Sequence, residues 1–135
     1  MAKTLILTNS ELAKLTKKLK ANFLEKRIIS LSGDLGSGKT TLTQALAKEL
    51  GVSEEVTSPT FNLLNIYDSP HGQIYHFDLY RLENPEEIYN IGLEEALENH
   101  LTIIEWPEIA KDLLPEKTIT IKISGNAKET RTYEF

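Results

Sequence analysis

The sequence predicts an α/β fold, with a partly parallel central sheet extended by antiparallel strands and flanked by helices. Three observations carry that expectation. Short apolar runs alternate with helical hydrophobic periods from residue 3 to residue 50. A glycine-rich segment joins the second strand-like run to the second helix. The C-terminal part closes with a strictly alternating run, a turn and a return strand, the pattern of an antiparallel pair. With 135 residues, 40% of them apolar, the chain has the size and core material of one domain spanning 1–135.

The elements follow in order. Residues 3–7 read as a strand, and Thr8 with Glu11 three positions on forms a capping box, Leu7 and Leu12 standing where a hydrophobic staple would. Leu12, Leu15, Leu19 and Phe23 then recur at helical spacing, which predicts an amphipathic helix over 9–24. Arg27 to Ser32 is a bounded apolar run that suits a buried strand. A helix is predicted from Thr41 to Leu50, with Gly51 as its C′ stop. After a loop at 52–59, the runs 61–67 and 73–78 flank Ser69-Pro70-His71-Gly72, a hairpin. Asn84-Pro85 with Glu87 starts a helix that continues in pieces to about Glu98, broken at Gly92. Leu101 to Glu105 is another buried run, and Pro107 to Leu114 one or two helical turns. The alternating strand 118–124, a turn at Gly125-Asn126 and a last strand 130–135 complete the chain.

The segment Gly33-Asp34-Leu35-Gly36-Ser37-Gly38-Lys39-Thr40 satisfies G-x-x-x-x-G-K-[ST] in full. Glycines let backbone N–H groups wrap an anion, and the following helix adds partial positive charge at its N-terminus. Lys39 supplies a cation for the β- and γ-phosphates of a nucleoside triphosphate, and the Thr40 hydroxyl a ligand for Mg2+. With glycine at about 7% of average usage, the four fixed positions coincide by chance in well under roughly one such chain in a hundred. As part of an exposed loop, Lys39 is expected to contribute little to packing.

Nucleotide hydrolysis also needs an acid near the metal at the end of a buried strand. Asp78 closes one strand and Glu105 another. Either acid suits magnesium binding or orientation of the attacking water, and a strand-end acid capping the next turn is the plain structural reading of each. Ser58-Pro59-Thr60 forms a loop whose hydroxyls suit a γ-phosphate switch, or no more than a loop. Trp106, the only tryptophan, reads as a core or interface aromatic, and Arg81 as a solvated arginine. No N-K-x-D or T-K-x-D element follows the loop, which argues against a guanine-specific GTPase and towards ATP. Only Arg27, Arg81 and Arg131 are available to a kinase lid or substrate pocket.

The net charge of −5 argues against direct nucleic-acid binding, whose affinity rests on phosphate neutralisation. The absence of cysteine excludes disulfides and thiolate metal sites. No signal-peptide core or membrane-length apolar run is seen, so a cytoplasmic protein without membrane contact is expected.

Four blocks fall in order: Gly33-Asp34-Leu35-Gly36-Ser37-Gly38-Lys39-Thr40-Thr41, Ser58-Pro59-Thr60-Phe61, His76-Phe77-Asp78-Leu79-Tyr80-Arg81-Leu82 and Glu105-Trp106-Pro107. Together they closely resemble the bacterial TsaE (YjeE) family of small P-loop ATPases, from about Leu5 to Leu114; the C-terminal strands match in character only. The resemblance implies a P-loop NTPase-like three-layer sandwich. It also implies a weak, partner-stimulated ATPase that assists threonylcarbamoyladenosine synthesis at position 37 of tRNAs reading codons that start with A. The implied partners are the TsaB–TsaD pair, with tRNA met only through that pair, and the implied cofactors are ATP or ADP and Mg2+. By position, Thr40 and Glu105 would hold the metal, and Asp78 would serve the metal or the attacking water. Thr60 would belong to a switch-like loop, Thr8 and Asn9 would lie near the base, and Trp106 with Tyr80-Arg81 near the nucleotide or partner. A small-molecule kinase and a non-hydrolysing nucleotide switch are the competing readings.

Overall fold

The structure is a computed structural model, and it describes residues 3–34, 38–59, 62–125 and 130–135. Seven strands form one mixed sheet: β1 (Thr4–Leu7), β2 (Ile28–Ser32), β3 (Leu64–Ser69), β4 (Gly72–Asp78), β5 (Leu101–Glu105), β6 (Ile119–Gly125) and β7 (Arg131–Glu134). Their spatial order is β1-β7-β6-β2-β5-β4-β3. The central four, β6, β2, β5 and β4, are mutually parallel, while β3, β7 and β1 add antiparallel edges. The fold class read from the sequence therefore holds, and the antiparallel pairs lie on both sides of the parallel core.

Strand alternation divides the apolar residues between two faces. Helices α1 (Leu12–Lys26) and α2 (Lys39–Glu49) cover one face. There Leu15, Leu19 and Phe23 meet Ile29, Leu31, Leu42, Leu46, Ile103 and Ile121. The other face buries Ile28, Phe77 and Ile104 against Ile88, Leu93, Ala96 and Ala110. Those last four residues come from a 3-10 segment at Pro85–Asn90, from α3 (Leu93–Asn99) and from a 3-10 segment at Pro107–Leu113. The result is three layers.

Several boundaries differ from the sequence expectation. The first helix opens with a 3-10 turn at Asn9–Glu11 and runs on to Lys26. Arg27, expected to begin the next strand, is instead its left-handed C-cap at φ 74, donating its N–H to the Phe23 carbonyl at 2.6 Å. The expected capping box is present, and in it Glu11 Oε1 accepts the Thr8 N–H at 3.1 Å and the Thr8 hydroxyl at 3.0 Å. Gly51 stops α2 at positive φ as expected, but α2 itself begins at Lys39, two residues early. The third strand starts at Leu64 rather than residue 61, and Phe61 and Asn126 lie outside the described residues. Asn84-Pro85 opens 3-10 turns, and Gly92, at φ 79, separates them from α3.

Candidate active site

Parallel strands all end at one edge of a sheet, and ligands of open α/β proteins bind outside those carboxyl ends. Here that edge gathers the phosphate loop after β2, Asp78 at the end of β4 and Glu105 at the end of β5. The parallel register sets Leu31 opposite Glu105 and Asp78 opposite Glu105. The two strand-end acids are therefore neighbours beside the loop, which residue spacing alone left open. Both are buried, at 3% exposure for Asp78 and 2% for Glu105, and Asp78 also caps the turn that follows it, accepting the Tyr80 N–H.

Of the phosphate loop, Gly33, Asp34, Gly38, Lys39, Thr40 and Thr41 are described, while Leu35, Gly36 and Ser37 lie outside the described residues, as does Thr60. Gly38 is the N-cap of α2 at φ 104, a left-handed angle that a glycine reaches without steric cost. The first N–H groups of α2 lack intrahelical acceptors by construction. Lys39 departs from expectation. It is 5% exposed, and its Nζ donates to the carbonyls of Gly33 at 2.7 Å and Asp34 at 3.0 Å. It also lies 4.0 Å from the centroid of the Trp106 ring. Burial depresses its pKa from the usual 10.5, against the pull of Glu105, Asp78, Glu108 and Asp34. Its packing role is substantial because a strand-to-helix turn folds the side chain back over its own loop.

The Thr40 hydroxyl donates to both carboxylate oxygens of Glu105, at 3.1 and 3.2 Å. Asp78 accepts the Tyr80 N–H at 3.0 Å and the Ser58 hydroxyl at 3.4 Å. That second bond brings the loop holding Ser58 and Pro59 to the acids, and the Thr60 position follows immediately in the chain. Trp106 takes a left-handed φ of 57 and donates its N–H to Leu31 at 3.2 Å, which turns its ring under Lys39 and against Tyr80, 4.7 Å between centroids. Arg81 is exposed nearby.

Two residues here carried no sequence hypothesis. His76, two positions before Asp78 on the same face of β4, is fully buried, with Nε2 2.5 Å from Glu105 Oε2. The period of two, applied backwards from Asp78, was the available signal. Arg131 comes from β7, far along the chain. Its guanidinium packs on Gly38, where an added Cβ would come within 2.6 Å, and its Nη1 donates to Asn9 Oδ1 at 2.8 Å. The Thr8-Asn9 segment is thus joined to the phosphate loop through Arg131. Nothing local in the sequence indicates that link.

The donor chemistry fits magnesium with a phosphate ligand. Mg2+ keeps several waters and takes one or two carboxylates plus phosphate oxygens rather than an all-protein cage. Thr40, Glu105 and Asp78 offer a hydroxyl and two carboxylates, and among the described residues no cluster of three or more His, Asp or Glu forms a closed metal site.

A buried parallel strand delivering a glycine-containing turn onto a helix N-terminus, beside strand-end acids, defines the P-loop class of α/β proteins. A family model described as threonylcarbamoyl adenosine biosynthesis protein TsaE matches residues 6–133, and the chain belongs to the TsaE family. The tRNA threonylcarbamoyladenosine biosynthesis protein TsaE of Rickettsia bellii is 46% identical over 123 residues, 90% of this chain and 85% of its own. The protein of that name from Borreliella burgdorferi is 42% identical over 107 residues, 76% of this chain and 77% of its own. The crystal structure of Bacillus subtilis YdiB superposes with a TM-score of 0.70 at 27% identity, covering 100% of this chain and 86% of that one. No helix among the described residues is long and apolar enough to cross a membrane.

Proposed function

We propose that this chain binds ATP with Mg2+ and hydrolyses it to ADP and phosphate in support of threonylcarbamoyladenosine synthesis on tRNA. In this reading it acts in the cytoplasm with a TsaB–TsaD pair and meets tRNA only through that pair. The observation that carries the site assignment is the Thr40–Glu105 contact, which sets a hydroxyl and a buried carboxylate beside Lys39 at the sheet edge. The name shared by the relatives supports the pathway, and the net charge of −5 supports indirect access to tRNA.

In this reading Lys39 exchanges its two carbonyl acceptors for β- and γ-phosphate oxygens, and the α2 N-terminus holds the phosphates. Magnesium, when bound, supplies charge neutralisation on those oxygens. Thr40 and Glu105 hold the metal. Asp78, one strand away, holds the metal or accepts from the water that attacks in line. Thr8, Asn9, Thr41, Thr60 and Trp106 border the nucleotide. The test is ATP turnover with and without a matched TsaB–TsaD pair. Stimulation well above the isolated chain is expected, and no stimulation would overturn the partner role. Glu105→Ala separates the hydrolase from a non-hydrolysing switch, since a switch would retain full activity of the assembly with ATP bound. Phosphorylation of a metabolite at a rate equal to ATP loss would instead identify a kinase.

A further inference from the structure

Glu105 Oε2, which accepts from Thr40, has a second polar partner. That partner is His76 Nε2, and His76 Nδ1 lies 3.2 Å from the Tyr67 hydroxyl. That hydroxyl is also 3.2 Å from the Thr57 carbonyl. Asn65 adds a bond from Nδ2 to the same carbonyl at 3.3 Å, and Gln44 of α2 donates to the carbonyl of Val56 at 2.8 Å. The 56–58 segment is thus held from β3 and from α2, and Ser58 at its end touches Asp78.

We propose that His76 and Tyr67 are positioning residues that orient Glu105 for the metal and couple that orientation to the segment Thr57–Ser58. An ionised carboxylate can only accept, so Nε2 carries the hydrogen that fixes the carboxylate plane. Tyr67 has one hydroxyl proton and two acceptors at equal distance, Nδ1 and the Thr57 carbonyl. A shift of the 57–58 segment changes which acceptor that proton serves, and with it the hold on the imidazole. His76 is fully buried and Tyr67 is 4% exposed, so water offers neither a ready replacement partner. A fully buried histidine and a buried tyrosine hydroxyl need polar partners inside the protein, and support of a metal-facing carboxylate gives this pair a use.

The inference rests on the proposed placement of Glu105 at the metal, so the experiment reads both. The variants His76→Gln, His76→Asn, His76→Leu, Tyr67→Phe and Glu105→Gln are titrated with ADP, with and without Mg2+, following Trp106 fluorescence and binding heat. His76→Leu and His76→Asn should raise the Mg2+ concentration for half-effect roughly 10-fold or more, leaving Mg2+-free ADP affinity unchanged. His76→Gln, whose amide can take the place of Nε2, should restore it to within about 3-fold. Tyr67→Phe should raise it less than His76→Leu does, and should speed amide exchange at 57–58. A merely structural histidine would lower stability without separating the two affinities, and Gln would not rescue. Wild-type Mg2+ dependence in folded His76→Asn or His76→Leu overturns the inference while Glu105 stays at the metal. Wild-type Mg2+ dependence in Glu105→Gln overturns the metal assignment itself and the inference with it. Should His76→Leu not fold, the Gln and Asn pair decides.

Discussion

The Thr40 hydroxyl donates to both oxygens of the Glu105 carboxylate, at 3.1 and 3.2 Å, tying the first turn of α2 to the end of β5. On the proposed reading the two residues serve one metal and act as a unit, so their losses should not add. Thr40→Ala and Glu105→Gln should each lower ATP turnover by about 100-fold, and the double variant should fall little below the worse single one. Turnover measured across a magnesium series checks this; fully multiplicative losses would separate the two roles.

Gly38 faces the Arg131 guanidinium so closely that a Cβ would come within 2.6 Å, and its φ of 104 is one that L side chains rarely adopt. Gly38→Ala should therefore cost roughly 1–3 kcal/mol in urea unfolding. It should also displace Arg131 from the loop and weaken ADP binding. Because the two residues touch, Arg131→Ala in the Gly38→Ala background should cost less than in the parent chain. Equal costs would show that backbone angle alone decides.

Lys39 has its pKa lowered by burial, so the unfolded chain holds that proton more tightly than the folded one. The destabilisation is fully present below the folded-state value and is relieved as pH rises through it toward 10.5. Compared with Lys39→Met, the parent chain should gain relative stability over that rise. Melting temperatures of both proteins along a pH series provide the check. A constant gap would place Lys39 in an environment that does not discriminate its two charge states.

Glu11 behaves with the opposite sign. The Thr8 N–H, followed by Lys14 and the Thr8 hydroxyl, holds its pKa down to about 2 from 4.5. Its contribution to stability is present above pH 4.5 and lost as pH falls towards about 2. The melting-temperature gap between the parent and Glu11→Gln should close across that window, and a gap that persists at the acid end would assign the effect to packing.

Much of this was legible in the residues themselves. Gly33 to Thr40 declares its chemistry locally because a phosphate cradle is built from contiguous backbone and the helix that follows. Leu101 to Glu105 was bounded correctly because a short apolar run ending in an acid has few other structures open to it. The residues around Lys39 suggest an exposed loop lysine, since spacing does not show that Trp106 returns beneath it. The period of two puts His76 on the face of Asp78, but that it meets Glu105 depends on the pairing of β4 with β5.

By itself, then, the sequence determined which residues share a strand face and where the phosphate loop stands, since both follow from local backbone periods. Only the tertiary structure decided that β4 and β5 pair in the register that sets Asp78 beside Glu105, and that β7 brings Arg131 to Gly38. Periodicity fixes the direction of a side chain but not its neighbour. The neighbour is chosen by which strands bury each other, and that choice depends on the whole core at once.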